Sequence, residues 1–394
     1  MKKIVGILSA AAVLAASVFA ADVSASAGLS STLFESDTDG KVVVLGSLAN
    51  KQTADYATLF SLQYSSDVAG GGVKYWGADD AKTVNFGKFN VWFKPMEGLK
   101  LSFLENSLGL FGDKYNGYEA HAVAGVGEGY GVEYSISGLT FNLNFVPQFA
   151  GKADRDACAG INEFGLKAAY AADFGSVAVI ADFNNGPDKK GKSVNFNSFK
   201  VGAGYSGKIA DVVDLVGNVG FQYNQDGKNH FKDFAFQNRL NLLKATVSAG
   251  GNIDAFGWAV CVPATVEFVT FPKEGYYSYS LPAEFKLGLQ VSASYKIGNI
   301  GLKAYFNSAD LFVHDTDVEE SNKELNEAKK DAKEGDTIKV KEVKNNYFAG
   351  NFGVEVTGNV GAASWKVTPD LSINTKKDAE KTTFKISFET GINF

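Results

Sequence analysis

Apolar and polar residues alternate along the chain in segments of about ten residues or more. In 283–297 every odd-numbered residue from Phe285 to Ile297 is apolar, and every even-numbered residue from Glu284 to Lys296 is polar or glycine. Because successive side chains of a strand point to opposite faces, each such segment predicts a strand with one apolar and one polar face. About 18 segments fit this pattern, near 23–34, 41–48, 56–65, 84–94, 98–106, 128–137, 139–149, 161–171, 174–183, 196–206, 214–224, 240–250, 255–270, 283–297, 300–307, 346–357, 361–374 and 381–394.

The length of these segments separates a soluble β-sandwich from a transmembrane barrel. Several run for about 12 to 15 residues, whereas strands of globular proteins average roughly 5–6 and membrane-spanning strands need about 9–11. Short and long connections also alternate, as they do in outer-membrane barrels with short periplasmic turns and long external loops. Short ones are predicted at 94–97, 137–138, 298–299 and 357–359, and long ones at 66–83, 107–127, 271–282 and 308–345.

These features predict an all-β fold: a transmembrane, antiparallel, up-and-down β-barrel of about 18 strands. The polar stretch 49–55 leaves the pairing of the N-terminal third open, so 16 strands remain an alternative. Residues 1–20 have the form of a Sec-type signal peptide, with Lys2 and Lys3 before an apolar run that is too short to span a membrane. The mature chain 21–394 is therefore predicted to be exported to the cell outer membrane and surrounded by its lipid.

Composition excludes several classes of function. A net charge of −6 argues against nucleic acid as a partner. Three histidines and two cysteines argue against a metal centre or a haem, and no catalytic or cofactor-binding motif accompanies them, so we expect neither an enzyme nor a cofactor. Cys158 is predicted in a long loop and Cys261 on the polar face, either as two separate thiols or as a disulfide formed by a loop that folds inward.

Two stretches carry a resemblance to a known group. The last strand, 382–394, alternates and closes on Phe394, and so resembles the C-terminal signal of bacterial outer-membrane barrels. The resemblance implies that the barrel-assembly machinery recognises Phe394 together with Phe388 and Phe384. The hairpin 92–101, WFKPMEGLKL, resembles a segment of spirochaete porin-like barrels.

The polar face of the predicted barrel is the candidate functional surface. An aqueous lumen would allow passive diffusion of small hydrophilic solutes, and its charges nearly balance, which argues against a dedicated ladder for one kind of ion. The alternative function is a surface-exposed structural or adhesin barrel that binds a partner through its long external loops; a homo-oligomer is compatible with both. The lumen-facing candidates are Lys100, Lys167, Lys244, Glu267, Glu284, Lys286, Lys296, Glu355, Lys385 and Glu389.

The long connection 308–345 is highly charged and is predicted to stand outside the lumen. Ser321 to Glu324 has the form of a capping box, and Gly335 marks a stop, which predicts a helix over about 322–334. Since Leu325 and scattered alanines are its only apolar residues, no apolar stripe is expected to dock this helix. The alternative places the connection inside the mouth of the barrel.

Overall fold

The computed structural model describes residues 22–37, 42–44, 58–77, 84–105, 108–112, 128–149, 158–187, 194–224, 239–270, 278–280, 284–333, 336–339, 343–376 and 382–393. The described chain is built almost entirely of strands, with a single helix among them. No helix among the described residues is both long and apolar enough to cross a membrane.

The elements follow the chain in this order: β1 Asp22–Asp37, β2 Val42–Val44, β3 Thr58–Ser65, β4 Ala69–Gly77, β5 Val84–Met96, β6 Leu99–Glu105, β7 Glu128–Ile136, β8 Leu139–Phe149, β9 Cys158–Ala172, β10 Gly175–Pro187, β11 Val194–Ile209 and β12 Val213–Asn224. The second half continues with β13 Arg239–Ile253, β14 Phe256–Thr270, β15 Ser278–Ser280, β16 Glu284–Leu287, β17 Leu289–Ile297, β18 Ile300–Ser308, β19 Val313–Asp317, α1 Val318–Lys330, β20 Thr337–Lys339, β21 Val343–Tyr347, β22 Ala349–Val360, β23 Ala363–Asn374 and β24 Thr382–Asn393.

One 22-stranded sheet contains every strand except the separate hairpin of β19 and β21. Each barrel strand pairs antiparallel with its neighbours, and β1 pairs with β24 from Ser26↔Asn393 to Asp37↔Thr383, so the order of pairing returns to its start. Three of the 22 strands (β2, β15 and β20) are three-residue segments. Moreover, β16 and β17 form one strand interrupted at Gly288 opposite Pro263, a residue without an N–H. In the part of the chain that the structure describes, eighteen strands therefore form the barrel, which confirms the predicted number.

The assignment of these strands differs from the prediction in the N-terminal third. Segment 66–83 was predicted to be a long loop, but Ala69–Gly77 forms β4, which pairs with both β3 and β5. Its run of three glycines, 70–72, hides the alternation on which the prediction depended. Of the predicted strand 41–48, the structure describes Val42–Val44, which pairs with Ser36 to Phe34 of β1, whereas β3 pairs with Asp22 to Ser26 of that strand.

Eight short turns, at 66–68, 97–98, 137–138, 173–174, 210–212, 254–255, 298–299 and 361–362, lie at one end of the barrel, called here the turn end. The opposite end, called the loop end, carries the longer connections. Ser137 and Gly138 both have positive φ angles, 48° and 83°, as a two-residue hairpin turn requires.

Two predicted turns lie elsewhere. The turn predicted at 357–359 lies at 361–362, because Gly358 stays in the ladder opposite Trp365, whose indole covers it. The turn predicted at 94–97 lies at 97–98, where Gly98 has a φ of 76°.

The faces of the barrel follow the predicted alternation. On β16 and β17, Phe285, Tyr295 and Ile297 are exposed on the outside, whereas Gln290 is buried on the inner face. Similarly, β10 exposes Val179 outward and buries Asp182 inward. The outer face is therefore an apolar belt, and the inner face carries most of the polar side chains.

The connection between β18 and β22 differs from the prediction for it. Helix α1 begins at Val318 and ends at Lys330, four residues before the predicted range at each end. Ser321 is consequently inside the helix rather than at its cap, and its Oγ accepts a hydrogen bond from the Val343 N–H at 2.9 Å. The expectation that nothing docks this helix is wrong: Leu325 and Ile338 are 1% and 4% exposed. Strand β20 also pairs in parallel with β15, which joins this connection to the one between β14 and β16.

Candidate functional site

A short segment of the connection between β6 and β7 lies inside the barrel. Leu108 and Ile180 are 5% and 4% exposed and form a small apolar cluster, against which Leu110 also packs. Ile180 belongs to the inner face of β10, so segment 108–112 lies on that face. The prediction that 107–127 stands outside as a loop is therefore wrong for its described part.

Hydrogen bonds from the barrel hold this segment by its backbone. The side-chain amide of Asn218 on β12 donates to the carbonyl oxygen of Phe111 at 2.6 Å and accepts from the Phe111 N–H at 3.3 Å. On β9, the Nζ of Lys167 donates to the carbonyl oxygen of Gly109 at 2.7 Å and lies 5.9 Å from the centre of the Phe111 ring. Three hydrogen bonds thus fix the five-residue stretch across the strands from β9 to β12.

Glycines on the inner face leave room for the segment. Gly204 on β11 is the register partner of Asn218, and Gly202 is the register partner of Gly220. A Cβ at Gly204 would lie 3.1 Å from the ring of Phe111 and would collide with Asn218 Oδ1. The absence of a side chain at Gly204 therefore leaves space on the inner face for the ring of Phe111.

The sequence contained signals for this arrangement that the alternation argument did not use. Ile180 is apolar and lies on the face that carries most of the polar side chains, where an apolar cover would remove it from water. The stretch Leu-Gly-Leu-Phe-Gly at 108–112 is unusually apolar for an external loop and supplies that cover.

The predicted lumen-facing residues fall into two groups by their positions in the ladder. The first group lies on β6 to β16 and includes Lys100, Lys167, Lys244 and Lys286. In the ladder, Lys100 is opposite Glu133 and Lys167 is opposite Asn142. Thr265 lies between Lys244 and Lys286. Glu267 and Glu284 are register partners of each other. The second group, Lys296, Glu355, Lys385 and Glu389, lies on β17 to β24.

The second group is dominated by cross-strand ion pairs. Lys366 Nζ lies 2.9 Å from Glu389 Oε1, and Lys303 Nζ lies 3.8 Å from Glu355 Oε2. Nearby, Tyr305 donates its hydroxyl to Asp370 at 2.8 Å. These groups belong to the part of the barrel that surrounds a cavity of about 1210 Å³ at the turn end, lined among others by Lys296, Lys303, Glu355, Lys366 and Glu389.

The aromatic residues of the last strand are placed only in part. Phe384 is exposed on the outer face, with its ring centre 6.1 Å from that of Phe34, and Phe388 lies in the ladder between Val367 and Ser31. Phe394 lies outside the described residues, so its role in assembly stays a prediction. His121 and His230 are also outside them. Cys158 begins β9 instead of lying in a loop, and Cys261 is buried and forms no disulfide within the described ranges.

Comparison with solved structures shows the same fold in bacterial barrels. The chain is similar to OprD of Pseudomonas aeruginosa, with a TM-score of 0.51 at 9% identity over 95% of each chain. It is also similar to the outer membrane protein opdK of the same organism, with a TM-score of 0.51 at 10% identity over 95% of this chain and 98% of the other. OccK3 of that organism gives a TM-score of 0.50 at 9% identity over 95% and 96%. No family model and no curated protein sequence matches the chain.

Proposed function

We propose that the protein is an outer-membrane channel through which small hydrophilic solutes diffuse passively, and that segment 108–112 narrows its lumen. The observation that carries this proposal is the attachment of that segment to the inner face by Asn218 and Lys167. A lumen packed solid with side chains would leave no face to which a loop could attach. An 18-stranded barrel is wide enough to leave an aqueous channel instead.

The outer face supports a membrane setting. Val179 and Val247 are 56% and 55% exposed, and exposed large apolar residues recur on most of the long strands of the barrel. Exposure of these apolar side chains to water would cost free energy, whereas lipid would solvate them. With the chain exported by its signal peptide and inserted by the barrel-assembly machinery, the turn end would face the periplasm. On the hairpin 92–101 we further propose a barrel of the spirochaete porin-like type.

Planar lipid bilayers provide the direct test. Purified protein should produce stepwise ionic conductance at low concentration, and reconstituted liposomes should swell in small sugars and not in large ones. A variant in which Asn218 is replaced by Ala should conduct more than the native chain, because the segment loses its attachment. Absence of any conductance from correctly folded barrels would refute the channel.

A second candidate function is a surface-exposed barrel that binds a partner through its connections. The observation in its favour is the parallel pairing of β15 with β20, which builds one structured unit from two long connections at the loop end. Binding of intact cells to a partner, lost when 316–340 is deleted and accompanied by no conductance, would favour this function over the channel.

A further inference from the structure

Three side chains converge on the inner face near the turn end, apart from the segment that narrows the lumen. Val91 and Phe93 point outward from β5 and are exposed, so Trp92 between them lies on the inner face. The Nζ atoms of Lys94 and Lys100 lie 5.4 Å and 5.1 Å from the centre of its indole ring. Two cations are therefore held beside one aromatic surface.

The barrel holds the indole in place through a glycine. Gly70 on β4 is the register partner of Trp92, and a Cβ there would lie 2.5 Å from the indole carbons. The indole consequently lies against the backbone of β4. Only glycine at position 70 permits this placement, and an immobilised indole loses little entropy when a ligand packs on it.

The two ammonium groups lack a carboxylate partner in the part of the chain that the structure describes. The nearest acidic rung is Glu133 opposite Lys100; its carboxylate accepts a hydrogen bond from the side-chain amide of Asn142 at 2.8 Å and forms no ion pair with either lysine, so its single charge offsets at most one of the two. By contrast, Lys366 and Lys303 on the other side of the barrel are paired with Glu389 and Glu355. Cation–π attraction offsets only part of the mutual repulsion of two lysines, so the site favours an added anion.

We infer that Trp92, Lys94 and Lys100 form a subsite for a sugar phosphate monoester. This inference rests on the proposed channel function, since the subsite would lie on the solute path. A phosphate monoester carries close to two negative charges at neutral pH and accepts hydrogen bonds from several donors, which matches two ammonium groups better than a monocarboxylate does. The C–H face of a sugar ring packs on the indole, while its hydroxyls stay in the water of the lumen.

Fluorescence titration of the purified protein in detergent tests the subsite without any need for conduction. Glucose 6-phosphate should change the tryptophan emission saturably, and Trp92→Phe should remove this change while the other three of the four tryptophans remain. Glucose and inorganic phosphate should each bind roughly tenfold more weakly than glucose 6-phosphate, because glucose lacks the phosphate that contacts the lysines and inorganic phosphate lacks the sugar ring that packs on the indole. Raising the ionic strength to about 1 M should weaken the binding of glucose 6-phosphate.

Substitution of the lysines separates a binding site from simple packing of lysine stems on an indole. Lys94→Gln and Lys100→Gln should each raise the Kd about threefold to tenfold, and the double variant should lose saturable binding. Lys208→Gln is the matched control, because Lys208 is also near a short turn but is paired with Asp214 at 3.7 Å. Equal binding by the double variant, equal binding of inorganic phosphate, or no saturable change at all would each overturn the inference. A protein that binds without conducting would refute the channel and leave the subsite standing.

Discussion

Asn218 forms hydrogen bonds with both backbone groups of Phe111, as a neighbouring strand would. Its side-chain amide donates to the Phe111 carbonyl oxygen at 2.6 Å and accepts from the Phe111 N–H at 3.3 Å, so both backbone groups of one residue are satisfied by one side chain. Unpaired backbone groups on a covered surface are costly, and this arrangement removes that cost from a segment without secondary structure. A side chain more than a hundred residues away in sequence thus determines where 108–112 lies.

Replacing Asn218 with Ala should release the segment and raise the single-channel conductance. The backbone N–H and C=O of Phe111 would lose their partner, at a cost of about 1–3 kcal/mol in the docking of the segment. Val219→Ala, which shortens the adjacent, outward-facing side chain of β12, is the matched control and should conduct like the native channel. Equal conductance of the Asn218 variant and the native protein would show that 108–112 does not limit the current.

Two glycines of neighbouring strands should respond differently to the addition of a methyl group. In Gly204→Ala the new Cβ would meet Asn218 and the Phe111 ring, so the segment must shift and the conductance should change. In Gly217→Ala the Cβ meets nothing within 4 Å, and the variant should keep the native conductance and stability. Conductance recordings and heat-modifiability on gels check both. The argument fails if the two variants behave alike.

The architecture could be predicted from the sequence because each barrel strand alternates apolar and polar residues, and this two-residue period is visible within a single segment. The faces of β16 and β17 and the turn at 137–138 follow from it directly. Where small residues blur the period, as in the glycines of β4, the same reasoning placed a loop instead of a strand.

The candidate site was less predictable because it depends on contacts between distant parts of the chain. Alternation assigned Lys167 and Lys244 to the inner face but could not show that Lys167 would bind the backbone of Gly109. Likewise, the ion pair of Lys366 with Glu389 requires the register of β23 against β24, which no single strand contains. The predicted lumen-facing charges nearly balance in number but are therefore distributed unevenly around the lumen.

An arginine on the outer face should destabilise the barrel. Val247 is 55% exposed in the middle of β13, where lipid would surround it. Val247→Arg should lower the free energy of unfolding in lipid by about 2–4 kcal/mol, as charges at the midplane of barrels do. Ile253→Arg, on the same outer face but near the turn end and 63% exposed, should cost less than about 1 kcal/mol. Urea unfolding in vesicles measures both free energies, and equal effects would show that Val247 does not face the middle of the membrane.

Removal of Phe394 should reduce assembly in the outer membrane. The alternating residues of β24 pair with both β1 and β23, so this strand completes the barrel, and the resemblance of its end to the assembly signal gives Phe394 its role. The deletion variant should accumulate as a precursor that periplasmic proteases degrade, whereas Thr383→Ser should assemble normally. Unchanged amounts of heat-modifiable protein in the outer membrane would contradict that role.

The unit formed at the loop end by α1 and β20 should be separable from the barrel. Leu325 is buried and α1 packs beside β19, β20 and β21, so Leu325→Asp would place a carboxylate in the contact that orders this unit. We expect trypsin to cut the variant between 318 and 339 while the barrel keeps its heat-modifiability, since none of the ladder from β22 to β24 depends on Leu325. Glu327→Gln on the exposed side of α1 is the control and should resist trypsin like the native chain. Conductance then decides where the unit stands: an unchanged value for Leu325→Asp means that it stands outside the lumen, as its dense charges favour, whereas a higher value means that it obstructs the mouth.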